Sequence, residues 1–183
     1  MAPAGAKDMR NLAGKVLPMY TGIYESPLGP LYLVFKGDKL VNLSFTREAA
    51  AEWVKRTFRR PLPEERPLPE KHARDLANYF KGRQRAFDWE LELIGTEFQK
   101  QVWRALLNIP FGRTATYKEI GEQCGCRGYR AVGRAVGANP IAIVVPCHRV
   151  VGWAGLGGYS GGLNIKRFLL EIEGAFSPPQ DHA

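Results

Sequence analysis

Residues 141–151 read Ile-Ala-Ile-Val-Val-Pro-Cys-His-Arg-Val-Val, so the thiol of Cys147 and the imidazole of His148 lie side by side in apolar surroundings. A free cysteine has a pKa of about 8.5, and its thiolate is scarce at neutral pH unless a neighbouring base or positive charge favours it. His148 and Arg149 could supply the base and the charge. The alternative is a structural cysteine beside a satisfied histidine, because cysteine is among the residues most often buried.

The composition of the chain is that of a globular intracellular protein. Its 183 residues, 45% of them hydrophobic, can form one large or two small packed domains. No apolar run approaches the roughly 20 residues of a membrane span, and the start lacks the pattern of a secretory signal. Three cysteines, Cys124, Cys126 and Cys147, make a poor disulfide framework and fit a reducing compartment.

The basic excess of the chain lies mainly around the Cys-His pair. The net charge is +8, and between Lys100 and Arg149 there are eight Lys or Arg residues against two acidic residues, Glu119 and Glu122. A field of this sign favours a polyanion such as nucleic acid. A solvated basic face is the other interpretation, and the charge alone does not decide between them.

The first half of the chain has the pattern of a small sheet followed by helices. Three β-prone runs separated by turn sequences predict an antiparallel meander: 20–24, 31–35 and 40–45. Thr46 is placed to cap a helix that continues to Phe58, and a second helix is predicted from Glu70 to Lys81. The four prolines of 61–69 predict neither helix nor ladder between them. Residues 1–17 show no periodicity and are predicted to be loose.

An alternation of apolar and acidic residues over 87–93 predicts one more strand, which closes an N-terminal domain at residues 1–93. Thr96 with Gln99, and Thr116 with Glu119, then have the spacing of capping boxes at the starts of two helices. The second domain is predicted over 94–176, and residues 177–183 are predicted to be disordered.

A helix-turn-helix is predicted within the second domain. The helix that begins after Thr116 is followed by a glycine-containing break and a further helix over 129–137, with Arg127, Arg130 and Arg134 on or beside it. Many helical hairpins never touch DNA, but three arginines at this place favour nucleic acid. A last helix over about 164–173 is predicted to bury an apolar face: Ile165, Phe168, Leu169 and Ile172. The fold class is therefore α+β, with a small α/β domain before a mainly helical, winged-helix-like one.

The order of several short motifs resembles one family, the O6-alkylguanine-DNA alkyltransferases. The resemblance is close over residues 95–174 and looser before them. The motifs are Gly95-Thr96-Glu97-Phe98-Gln99, Val102-Trp103, Ile109-Pro110, Tyr117, Arg130-Ala131-Val132-Gly133, Asn139-Pro140, Pro146-Cys147-His148-Arg149-Val150, Tyr159-Ser160-Gly161-Gly162 and Leu169-Leu170 before Glu173.

The resemblance implies a ribonuclease-H-like sheet in the first domain and a single-turnover transferase. It implies that the alkyl group on O6 of a damaged guanine, and less readily that on O4 of thymine, moves from DNA to Cys147 without return. The base must first leave the duplex, because the alkyl carbon cannot meet a thiolate inside the stack. The partner is double-stranded DNA bound with little sequence specificity, and the protein is expected to act as a monomer. It would lie in the cytoplasm, on the nucleoid of a bacterium or archaeon, or in the nucleus of a eukaryote.

The resemblance also implies roles for individual residues. His148 and Glu173 form a relay through water to Cys147, and Asn139 holds the segments around the thiol together. Tyr117 crowds the target phosphate and serves the leaving guanine, while Arg130 fills the vacated stack. The pocket for the flipped base is lined by a further set of residues: Val136, Val150, Tyr159 and Ser160.

The chain departs from some relatives of this family in its first domain. Residues 1–90 contain no cysteine and only one histidine, His72, so we expect no zinc, and nothing in the sequence calls for a cofactor. Cys124 and Cys126 receive no function. Three other classes stay open, namely a non-enzymatic protein that recognises alkyl damage, a helix-turn-helix regulator and a cysteine hydrolase, which would need an oxyanion hole and turnover.

Overall fold

The computed structural model describes residues 16–176, which form two compact units. Described residues up to Arg74, together with Asp88–Glu92, make the first unit; Asp75–Phe87 and the residues from Leu93 onwards make the second. This division differs from the predicted boundary after residue 93 in the placement of 75–87. The predicted tail at 177–183 and most of the predicted loose segment at 1–17 lie outside the described residues.

The first unit contains the predicted meander. Strands β1 (Met19–Ser26), β2 (Gly29–Lys36) and β3 (Lys39–Ser44) pair antiparallel in the order β1-β2-β3. The β1-β2 and β2-β3 connections are tight, because Ser26 pairs with Gly29 and Lys36 pairs with Lys39. Helix α1 (Arg47–Phe58) follows, capped as predicted by Thr46, whose side chain accepts the amide of Ala49 at 3.1 Å. Its apolar side chains, with those of the strands, form the core of this unit.

The strand predicted over 87–93 does not form. In its place a single bridge joins Leu91 to Leu40, with hydrogen bonds from the Leu40 amide to Glu90 and from the Glu92 amide to Leu40. The apolar alternation reflects burial on one side, since Trp89 is buried, but only one residue lies in register with β3. The proline-rich stretch 61–69 likewise makes one bridge, Thr21 to Glu65, where no ladder was predicted.

The second unit is mainly helical, as predicted. Helix α2 (Glu70–Phe80) begins in the first unit and ends in the second. The remaining elements are α3 (Glu97–Leu107), β4 (Ala115–Thr116), α4 (Tyr117–Gln123), α5 (Tyr129–Gly137), β5 (Val150–Val151) and α6 (Leu163–Ile172). Both predicted capping boxes are present. In each, the threonine side chain accepts the backbone amide of Gln99 or Glu119, and the side chain of Gln99 or Glu119 accepts the backbone amide of the threonine. Helices α4 and α5 pack together as the helix-turn-helix.

The buried face of α6 differs from the predicted one. Lys166, Leu169 and Leu170 are its buried residues, whereas the predicted Ile165, Phe168 and Ile172 are only partly buried. The predicted face is therefore wrong except for Leu169. A charged residue at a core position was not predicted because lysine is almost never fully buried unless its charge is paired. The second unit nevertheless buries Lys166 completely.

Within residues 16–176, no helix has the length and apolar content needed to cross a bilayer. That same part of the chain holds no group of three or more His, Cys, Asp or Glu side chains placed to bind a metal ion.

Candidate active site

Cys147 lies at the start of a short 3₁₀ helix, Cys147–Arg149, after the apolar run 141–145. The run forms tight turns and not a strand. The amide of Val144 donates to Ala142 and that of Cys147 to Val145, so two three-residue turns centre on Ile143 and Pro146. Ile143 has φ +69°, a conformation that costs a β-branched residue about 1–3 kcal/mol. Packing of the buried Ile143 side chain, which is 1% exposed, compensates for this strain.

Asn139 fastens the same turns from within. Its side-chain amide nitrogen donates to the carbonyl of Val145 at 2.8 Å, and its oxygen accepts the amide of Ile141 at 3.0 Å. The backbone leading to Cys147 is thereby fixed at both ends of the apolar run. The Asn-Pro pair at this place is thus more than a turn sequence.

Glu173, at the C-terminal end of α6, lies at the centre of a buried polar cluster. Its Oε1 is 2.7 Å from His148 Nε2 and accepts the hydroxyl of Tyr79 at 2.7 Å. Its Oε2 accepts Arg149 Nε at 2.8 Å and faces the amide of Gly112 at 3.5 Å. A side chain at Gly112 would meet the Glu173 carbonyl at 2.9 Å, and Gly112 has φ +75°, so glycine is needed there for two reasons.

The charge states of this cluster follow from its contacts. Burial opposes ionisation of Glu173, but hydrogen bonds and charges from His148 and Arg149 outweigh it and lower the carboxyl pKa to about 2. Burial lowers the pKa of His148, so its imidazole is neutral at pH 7 and its charge acts on Glu173 only in acid, where that carboxyl titrates. A neutral imidazole beside a carboxylate donates from Nε2, which leaves the lone pair on Nδ1. In the described part of the chain Nδ1 is buried and has no hydrogen-bond partner.

The Cys147 thiol is exposed to opposing influences. Burial, at 4% exposure, raises the thiol pKa overall, although hydrogen bonds from Asn139 and Tyr159 and the charge of Lys166 act in the opposite direction. Arg149, which the sequence offered as the favourable charge, is committed to Glu173 and to the carbonyl of Ile109 at 2.6 Å. The cation that acts on the thiol is therefore Lys166.

Lys166 was not singled out by the sequence. Its ammonium group donates to the carbonyls of Val150 at 2.6 Å and Gly158 at 3.1 Å, and to that of Leu156. Three carbonyls replace the water that burial removes, and burial lowers the lysine pKa to about 8 against the opposing influence of Cys147. One side chain thus ties together the loop that follows the Cys-His pair.

Tyr79 is the second residue that the sequence did not reveal. It is fully buried at the end of α2, and burial followed by the Glu173 charge raises the pKa of its hydroxyl well above the usual value. The hydroxyl therefore acts as a permanent donor to the carboxylate. No local pattern distinguishes it, because a tyrosine on the apolar side of a helix is common in any core.

Tyr117, the first residue of α4, lies near the thiol. Burial and the nearby Cys147 raise the pKa of its hydroxyl, which donates to the Gly158 carbonyl at 3.5 Å. A side chain at Gly157 would approach the Tyr117 ring to 3.1 Å, and Gly157 has φ +70°, so this loop lies against the ring only as glycine.

The other predicted site residues divide by exposure. Tyr159 faces Cys147, whose charge, after burial, raises the tyrosine pKa. Val136 and Val150 are buried, and Ser160 is exposed in the loop before α6. The three arginines stand apart from the buried cluster, exposed on or before α5: Arg127, Arg130 and Arg134.

These features define a helix-turn-helix protein that carries a buried thiol beside a carboxylate-held histidine. Two family models cover most of the chain. One describes the 6-O-methylguanine DNA methyltransferase ribonuclease-like domain and matches residues 19–93; the other describes that family's DNA binding domain and matches 97–175.

Individual proteins agree with these matches. A methylated-DNA–protein-cysteine methyltransferase of Methanosarcina barkeri is 46% identical over 164 residues, covering 85% of this chain and 97% of that protein. One of Mycobacterium tuberculosis is 48% identical over 157 residues, covering 84% and 92%. The crystal structure of the M. tuberculosis O6-methylguanine methyltransferase has a TM-score of 0.76 at 43% identity, covering 88% of this chain and 96% of that one. A structure of M. tuberculosis OGT in complex with DNA has a TM-score of 0.73 at 43% identity, covering 87% and 96%.

The chain belongs to the 6-O-methylguanine DNA methyltransferase family.

Proposed function

We propose that this protein repairs DNA by moving an alkyl group from O6 of guanine, and less readily from O4 of thymine, to the sulfur of Cys147. The observation that carries the proposal is the Cys147 thiol, buried between hydrogen-bonding side chains and followed by a histidine that Glu173 holds by Nε2. The relatives named as methylated-DNA–protein-cysteine methyltransferases support the same reaction.

The reaction begins with the loss of the thiol proton. Nδ1 of His148 is the basic nitrogen, and the proton passes to it through the water of the relay, while Glu173 stabilises the imidazolium that forms. The thiolate attacks the alkyl carbon, a C–S bond forms, and the bond from that carbon to O6 breaks. Its electron pair stays on the guanine, which takes a proton or hydrogen bond from Tyr117 and leaves as the repaired base.

The exposed arginines of the helix-turn-helix supply the DNA contact. Arg127, Arg130 and Arg134 lie exposed at α5, and contacts of this kind to phosphates carry no sequence information. The protein therefore binds DNA with little sequence preference, and it binds as a monomer. Arg130, near the start of α5, enters the stack that the extruded guanine vacates. We propose that the protein works inside the cell, where DNA lies.

Replacing Arg130 should separate base extrusion from chemistry. Arg130→Ala should slow repair of duplex DNA roughly tenfold or more, because unstacking a base costs a few kcal/mol. Reaction with the free base O6-benzylguanine, which needs no extrusion, should slow far less. Arg167→Ala removes one exposed charge from α6 and should change neither rate by more than about twofold. Equal slowing of both substrates by Arg130→Ala would argue for a structural role.

The stoichiometry of the reaction tests the proposed function as a whole. A thioether has no carbonyl for water and no disulfide sulfur for another thiol, so His148 and Glu173 cannot reverse it. Label from duplex DNA carrying labelled O6-methylguanine should become fixed to Cys147 and reach a plateau at one equivalent of protein. The alkylated protein should melt at a lower temperature, since an added group in a packed site costs about 1–3 kcal/mol.

The same measurement separates the other classes. A cysteine hydrolase would continue past one equivalent, and a recognition protein or regulator would bind the duplex without retaining label. A regulator would also prefer one undamaged sequence at fixed salt.

A further inference from the structure

Trp153 is the only one of the four tryptophans that lies in solvent. Trp53 and Trp89 are 8% exposed and Trp103 is 1% exposed, whereas Trp153 is 97% exposed. Tryptophan is highly buried on average, because its large apolar surface is costly to hydrate. A fully exposed indole is therefore available for contact with a partner.

The indole stands on a tightly held loop beside the thiol. Gly152 and Gly155 form a bridge that places Trp153 and Ala154 at the tip of a two-residue turn. The strand before it, β5, pairs with β4, which leads directly into Tyr117. Lys166 holds the carbonyls before and after the turn, at Val150 and Leu156. The backbone at Trp153 is thus held in place next to the acceptor site.

The chemistry of the loop selects the kind of contact. Residues 150–165 contain no Lys, Arg, Asp or Glu, so this rim of the site offers no charge to a phosphate. The exposed arginines proposed to contact the phosphates, Arg127, Arg130 and Arg134, lie in the helix-turn-helix instead. A neutral loop with one exposed indole is suited to stacking on a base, which tolerates any sequence because every base has a π-face.

We propose that Trp153 stacks on a base of the lesion-bearing strand, adjacent to the extruded guanine. The proposal rests on the proposed function, since it places that strand over Cys147. Extrusion of the guanine leaves each neighbouring base with one face against the gap that Arg130 enters, and a guanidinium covers less of that face than a base does. An indole anchored beside the pocket offers a replacement, and so holds the opened strand at the thiol.

Truncation of Trp153 tests the contact. Trp153→Ala should weaken binding to an O6-methylguanine duplex by roughly 5- to 150-fold, the range expected for the loss of one base-aromatic stack. Trp153→Phe keeps an aromatic face and should recover most of the affinity. Leu107→Ala, which truncates a side chain 44% exposed on α3, is the matched control and should bind within about twofold of the parent protein. Thermal melting of each variant checks that it is folded.

The fluorescence of the protein gives a second readout. Acrylamide should quench mainly Trp153, and duplex DNA should protect this fraction in the parent protein. Trp153→Phe, which keeps only the three buried tryptophans, should lack the quenchable fraction with or without DNA. Trp153→Ala binding the duplex like Leu107→Ala would overturn the proposal. So would a dimer in sedimentation that Trp153→Ala abolishes with DNA affinity intact, since the indole would then cover a second copy of the chain.

The labelling experiment keeps this proposal distinct from the proposed function. Weaker duplex binding by Trp153→Ala without label transfer to Cys147 in the parent protein would retain the stacking contact and reject alkyl transfer. Label transfer in the parent protein together with unchanged duplex binding by Trp153→Ala would retain alkyl transfer and reject the stacking contact.

Discussion

A Cys147→Ala variant should accept no alkyl group from DNA and should still bind the duplex. Only Cys147 lies where Asn139, Tyr159 and Lys166 favour the thiolate, next to the basic nitrogen of His148. Burial raises the pKa of both Cys124 and Cys147, but the neighbouring Cys126 raises that of Cys124 further, whereas the three partners of Cys147 oppose the rise. Under the proposal that exposed arginines of the helix-turn-helix contact the DNA, affinity should stay within about twofold of the parent value.

The measurement is label fixed to protein after incubation with duplex DNA carrying labelled O6-methylguanine, followed by mapping of the labelled peptide. Cys124→Ser with Cys126→Ser is the matched control, because it removes the other two thiols and should keep full transfer. Label recovered on Cys124 or Cys126 in Cys147→Ala would show that the acceptor is assigned to the wrong residue.

The elements with local signals could be predicted from the sequence. Threonine followed three residues later by Gln99 or Glu119 specifies a helix start through two reciprocal hydrogen bonds, and both boxes are present. Alternation between turns specifies a meander because each short loop forces its strands to be neighbours. Residues 87–93 also alternate, but no short turn connects them to a neighbouring strand, and they form one bridge instead of a ladder.

The composition of the buried cluster could be predicted only in part. The resemblance pointed to Cys147, His148 and Glu173. It did not show which positive charge acts on the thiol, because that depends on the conformations of the long Arg149 and Lys166 side chains. Arg149 is adjacent in sequence and is held by Glu173, whereas Lys166 is 19 positions from Cys147 and affects its pKa.

A signal for Lys166 was nevertheless present. Lys166, Leu169, Leu170 and Glu173 are spaced i, i+3, i+4 and i+7, which is one face of a helix. Charged residues at both ends of this helix face, Lys166 and Glu173, indicate that each end contacts a polar group inside the protein. Hydropathy alone ranks Ile165, Phe168 and Ile172 above them, and for that reason it predicted the wrong face.

Glu173→Gln should destabilise the protein by about 3–5 kcal/mol and also slow repair. The amide has no charge to offer Arg149, whose guanidinium then stays buried without a counter-ion, and removal of one partner of a buried pair costs about this much. A carboxyl pKa lowered from 4.5 to about 2 corresponds to about 3 kcal/mol, in agreement with that figure.

The pH dependence of stability gives an independent check. A depressed pKa means that the stabilisation is complete above pH 4.5 and is lost as the pH falls towards about 2. Urea unfolding of the parent protein should therefore weaken over this range, whereas Glu173→Gln, which has no carboxyl group at this position, should lack that part of the decline. A parallel decline in both proteins would place the acid sensitivity at other carboxylates.

A double variant distinguishes stability from chemistry. Glu173→Gln with Arg149→Met removes the unpaired charge, so it should regain part of the stability lost by Glu173→Gln alone. Its repair rate should stay low, because no carboxylate then holds Nε2 of His148 or stabilises the imidazolium. If the rate recovered together with the stability, Glu173 would serve the reaction only by keeping the site folded.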